Sequence, residues 1–117
     1  MKKILAITVL CLLLASCWNP SVKEVAVTGA WQYMQLPIKS GARVWACDEN
    51  QLKIVHKAGR KNVTDSYIES FESHGWTLTS QSLDGNEYNL RFAKGNTILD
   101  IEIYDFEKTG VIIRKSV

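Results

Sequence analysis

The amino-acid sequence predicts an α+β domain: an antiparallel sheet of about six strands, in the order β-β-α-β-β-β-β, with one helix packed on one face. Three observations carry that prediction. Apolar residues alternate with polar ones through several short runs, the period of a half-buried strand. The runs are separated by turn chemistry, Asp84-Gly85-Asn86 and Lys94-Gly95-Asn96 above all. One stretch alone, Val63 to about His74, spaces its apolar residues three and four apart, as an amphipathic helix does.

The elements follow in order. From Gly41, Val44 and Ala46 alternate with Arg43, Trp45 and Cys47, then Asp48-Glu49-Asn50 makes a polar turn. Leu52, Ile54 and His56 alternate with Lys53, Val55 and Lys57, so these two strands read as a hairpin. The loop 57–62 closes it, and Asn62 is the expected N-cap of the helix, with Asp65 near the positive end of the macrodipole. Val63, Tyr67, Ile68 and Phe71 form the apolar face. Gly75 supplies a left-handed stop, which makes Phe71 and Trp76 the pair expected to meet in a Schellman cap. Four strands remain: Trp76 to Ser80, Glu87 to Phe92, Leu99 to Tyr104 and Val111 to Arg114. No repeat, low-complexity tract or second domain interrupts them.

The N-terminus reads differently. Lys2 and Lys3 precede Ile4 to Leu14, eleven positions of apolar type, too few to span a bilayer but right for a secretory signal. Leu14-Ala15-Ser16-Cys17 closes the run. That pattern resembles the lipobox of bacterial lipoproteins, which implies lipidation of the Cys17 thiol and cleavage just before it. Two or three acyl chains on one cysteine anchor a protein stably, where a single chain does not. Trp18 stands where an Asp marks inner-membrane retention in enteric-type Gram-negative bacteria. The resemblance therefore implies an outer-membrane anchor facing the periplasm in a Gram-negative cell, and the cell membrane otherwise. The expected organisation is a signal peptide over 1–16, a lipidated cysteine and tether over 17–40, and one domain over 41–117. Trp31 and Tyr33 fall in the tether, with docking onto the domain core the expectation for both.

A second resemblance covers 37–76. Pro37, Gly41, Ala42, Val44, Tyr67, Phe71, Gly75 and Trp76 are similar to a pattern met in many small, mostly uncharacterised bacterial envelope proteins. It implies a shared α+β fold and carries no activity with it.

Charge and cysteine use narrow the function classes. The chain has 14 basic and 12 acidic side chains. Lys2 and Lys3 leave with the signal, so the mature chain balances 12 against 12 and carries no general attraction for nucleic acid. Cys11 also leaves and Cys17 is alkylated, so Cys47 has no partner for an internal disulfide. Its strand neighbours favour a buried thiol over a reactive one.

Catalytic motifs are scarce. His56 and His74 lack metal-ligand spacing, and no G-x-S-x-G, Walker-type or dinucleotide loop occurs, so neither a metal nor a cofactor is expected. Asp100 and Glu102 share a strand face about 7 Å apart, a spacing open to a cation site or a carboxylate pair. Arg91 on the neighbouring strand is the expected cross-strand partner that makes them a solvated face instead. Lys53, Lys57, Arg60 and Lys61 gather around one loop and form the candidate contact surface. The reading that asks least is a lipid-anchored, non-enzymatic binding or accessory protein of the envelope, with an envelope protein as partner. An inhibitor or immunity protein against a cell-wall hydrolase or toxin is the alternative, and a small hydrolase built on Asp100 and Glu102 a third.

Overall fold

The computed structural model describes residues 20–34, 36 and 41–116. Cys17, the signal segment and Pro37 lie outside the described residues. Six strands form one antiparallel sheet: β1 (Ala42–Cys47), β2 (Gln51–His56), β3 (Thr77–Asp84), β4 (Glu87–Lys94), β5 (Thr97–Tyr104) and β6 (Thr109–Ser116). The single α-helix, α1 (Arg60–Ser73), sits between β2 and β3 in the chain. The predicted element order and class are those observed.

Sheet order is β1-β2-β6-β5-β4-β3. Two-residue turns at 85–86 and 95–96 fold β3, β4 and β5 into a meander, which β6 completes. The last strand then pairs with β2 and joins the meander to the first hairpin, Leu52 opposite Ile113 and Ile54 opposite Val111. This register puts Leu52, Ile54, Leu99, Ile101, Ile103, Val111 and Ile113 on one face, each essentially inaccessible to solvent. Helix α1 lays Val63, Tyr67 and Phe71 on that face, where Phe71 lies 4.7 Å from Phe92, ring centre to ring centre.

The helix ends as the sequence predicts and begins earlier. Gly75 has φ 89°, a conformation that strains an L side chain. The Trp76 N–H donates to the Phe71 carbonyl (3.0 Å) and the Gly75 N–H to that of Glu72 (3.1 Å), the two bonds of a Schellman cap. At the other end the N-cap is Gly59, whose carbonyl accepts from the Val63 N–H at 3.0 Å. Asn62 is therefore inside the first turn, and the expected side-chain cap there is not formed. A cap residue contributes about 1 kcal/mol. Beginning nearly a turn sooner keeps Val63, Tyr67 and Phe71 on the same face and brings Arg60 to Asp105, 3.3 Å away.

The second difference is the stretch read as tether. Residues 20–34 run beside the edge strand β1: the Val25 N–H donates to the Val44 carbonyl (2.9 Å), and Trp31 Nε1 to the Asp48 carbonyl (2.6 Å). Trp31 is 2% exposed and belongs to the core, with Val27, Met34 and Leu36 packed against it. Tyr33, expected beside it, is 83% exposed and takes no part. A core boundary at Gly41 thus excludes side chains that the core uses. The segment also covers one of the sheet's two free edges, a common protection against edge-to-edge pairing.

Candidate functional site

Three connections converge at one end of the sheet: the loop from β2 into α1, the β3–β4 turn and the β5–β6 turn. Between them lies an open groove of about 550 Å³, bounded by Gly59, Arg60 and Lys61 on one side and by Leu83, Asn86 and Tyr88 on the other. Asp105, Glu107 and Lys108 from the β5–β6 turn complete it. Arg60 is ion-paired to Asp105, and Lys61 to Asp65 at 3.1 Å. Both cations occupy the first turn of α1, where the helix dipole is already positive and a basic residue is unfavourable. Asp65 and Asp105 offset that unfavourable charge locally.

The N-terminal segment meets the same end. Ser21 donates to the Glu107 carboxylate through its backbone N–H (3.1 Å) and through its hydroxyl. Those two hydrogen bonds hold the Glu107 carboxyl below the usual carboxylate range. Glu107 has φ 57°, so the turn fixes it in a conformation uncommon outside glycine. Pro20 is buried, and its carbonyl faces the Arg43 guanidinium at 3.4 Å.

The four basic residues singled out from the sequence do not share one surface. Arg60 and Lys61 border the groove, while Lys57 is exposed beside a smaller cleft of about 270 Å³ lined by His56, Val63 and Tyr67. Lys53 is on the opposite face of the sheet, its ammonium 5.1 Å from the centre of the Trp45 ring. Strand alternation is the reason: Lys53 is one residue from Leu52 and Ile54, which face the helix. Lys108 joins Arg60 and Lys61 from a turn almost fifty positions away, and local sequence carries no signal of that proximity.

Beneath the smaller cleft, His56 Nε2 and the Tyr67 hydroxyl are 2.7 Å apart and buried. Burial lowers the His56 pKa to about 4 and raises that of Tyr67. The pair bonds β2 to α1 as a neutral imidazole against a neutral phenol. His74 lies at the C-terminus of α1, exposed, with Nδ1 2.7 Å from the Ser70 carbonyl.

The carboxylates on the outer face are paired. Asp100 accepts from Arg91 Nε at 2.7 Å, as its cross-strand register predicts, and Glu102 accepts from Arg114 Nη1 at 2.5 Å. Arg114 is a partner the sequence did not suggest, because β6 pairs with β5 and β2 at once. Among the described residues, no three His, Cys, Asp or Glu side chains gather to hold a metal ion. Cys47 is half-buried against Thr28, whose N–H points at its sulfur at 3.5 Å. Comparison with protein-family models, with curated proteins and with solved structures finds no match to this chain.

Proposed function

We propose that this is a lipid-anchored, non-enzymatic binding or accessory protein of the bacterial envelope, held on the periplasmic side of the outer membrane through Cys17. The observation that carries this reading is Leu14-Ala15-Ser16-Cys17 behind a basic and then apolar leader. The domain's surface fits the binding half of the reading: its largest described features are an open groove that mixes charged side chains with Leu83 and Tyr88, and four ion pairs. Strand β3 adds a second feature. It forms an edge of the sheet and is almost wholly exposed along its length, with Ser, Thr and Gln in place of the charges that usually guard an edge. An edge of this kind pairs with an extended segment of a partner protein. That favours a second reading in which the protein inhibits or neutralises one dominant envelope partner.

Two measurements test these readings. The mass of the membrane-extracted protein should equal residues 17–117 plus its acyl chains, and Cys17→Ala should abolish acylation. A mature mass without acyl chains sinks the anchor. In-cell crosslinking from β3 should then yield one recurrent protein. Crosslinks scattered over abundant envelope proteins would remove the inhibitor reading.

A further inference from the structure

We infer that the end of the domain bearing Glu107, Lys108 and Lys57 lies against the lipid headgroups of the membrane that carries the anchor. This inference rests on the lipobox reading and concerns how the domain then sits. Only Trp18 and Asn19 separate Cys17 from Pro20. Three residue steps span at most about 10 Å. Pro20 is buried, and Ser21 is fastened to Glu107 in the β5–β6 turn. Cys17 is therefore within about 10 Å of that turn, too little length for the domain to turn over above its anchor.

Two lysines at this end can meet headgroup phosphates. Lys57 is exposed, and Lys57 and Lys108 make no ion pair among the described residues. Of the acidic groups beside them, Asp105 is paired with Arg60, whereas Glu107 accepts from Ser21 and Asp84 from Asn89 at 3.0 Å, neutral donors that leave both carboxylates charged. Attraction between exposed charges reaches about 8 Å at physiological salt. A tether of ~10 Å brings the two lysines to that range of headgroup phosphates, whereas the far end of an eight-residue strand is ~26 Å further out. Two consequences follow. The groove at Arg60 opens toward lipid and is closed to large partners. Protein partners are left the β3 edge, the ion-paired outer face and the distal turns at Asn50 and Asn96.

The test uses the full-length lipidated protein, labelled with nitrogen-15, in nanodiscs of phosphatidylethanolamine and phosphatidylglycerol. A few per cent of the lipid carries a gadolinium chelate on its headgroup. The separation along the strands predicts relaxation enhancement at the amides of Asn86 and Lys108 at least about tenfold that at Asn50 and Asn96. Equal or reversed enhancement in protein whose mass includes acyl chains would overturn the orientation and leave the anchor standing. A mass without acyl chains would remove the anchor and the orientation together.

Discussion

The two faces of this sheet are built from the same six strands and are protected in different ways. On the inner face, separate pieces of chain do the covering: α1 contributes Tyr67 and Phe71, and the segment before β1 contributes Trp31. On the outer face the sheet covers itself. Val55 is inaccessible and Ile112 nearly so, although neither points toward the helix. Trp45, Tyr104 and Phe106 gather on that side, Trp45 and Phe106 at 5.4 Å and Tyr104 and Phe106 at 5.9 Å. Farther along the same face, toward β4 and β5, apolar cover gives way to Arg91–Asp100 and Arg114–Glu102. The difference teaches that a central strand can need cover on both sides even when only one helix is present.

The comparison breaks most readily at Phe71. Its ring is inaccessible and touches Phe92, Trp76 and Tyr67 with centres 4.7, 5.8 and 5.9 Å away. Phe71→Ala should lower stability by about 3–5 kcal/mol in urea denaturation, since the cavity is walled by three other aromatics. Phe106→Ala, on the half-exposed outer cluster, should be clearly milder. Equal losses at the two sites would make the outer face a second core.

The inner face should also be the acid-sensitive one. His56 is held neutral, its pKa depressed from 6.5 to about 4 by burial. In the unfolded chain it takes up a proton below 6.5, and in the folded protein only near 4. Its contribution is complete above 6.5 and is lost as pH falls toward 4. Between about pH 7 and about pH 5 this amounts to roughly 2 kcal/mol of stability. His56→Gln should flatten that slope. A slope unchanged by the substitution would assign acid sensitivity to other groups.

Crowding on the outer face has its own probe. Gly110 lies opposite Tyr104 in β5 and Val55 in β2. A Cβ there would come within 2.7 Å of Tyr104 Cζ and 2.9 Å of Phe106 Cβ. Gly110→Ala should therefore destabilise by about 1–3 kcal/mol through overpacking. A neutral result would mean that the Tyr104 and Phe106 rings move aside freely, and that the outer cluster is looser than the inner one by more than its exposure suggests.

What the sequence made legible was local. The Phe71–Gly75–Trp76 cap spans six residues, and its two hydrogen bonds follow from one glycine. The strands of the meander are legible because β5 alternates cleanly along its length. Trp31 was less so: it has no periodic neighbours, and its indole bonds a carbonyl seventeen residues on. The start of α1 is not legible from Asn62, because a cap preference of about 1 kcal/mol is weaker than the packing that extends the helix to Gly59. The buried outer face did leave a trace, in the unbroken apolar run Val111-Ile112-Ile113 and in Val55 beside Ile54. Such runs mark strands covered on both sides. The candidate surface failed for a related reason. Lys53 sits on the face of β2 opposite Leu52 and Ile54, whereas β2 ends at His56, so Lys57 lies past the strand and is not held to that face by alternation.

The smallest expected effect concerns the ion-paired end of the outer face. Arg114 and Glu102 sit at 2.5 Å with side chains 42% and 32% exposed, on strands that are neighbours in the sheet's middle. Water reaches both groups, so the attraction between them is diluted and each pair must still order two flexible side chains. A double-mutant cycle of Glu102→Gln and Arg114→Gln should give a coupling of no more than about 1 kcal/mol, smaller still in 1 M salt. A coupling several times larger and insensitive to salt would mean that the pair is shielded, most directly by a partner covering this face. The same cycle in the membrane-anchored protein would then read out that partner's arrival: an increase on anchoring marks the ion-paired face as occupied, and an unchanged value keeps it among the surfaces open to the periplasm.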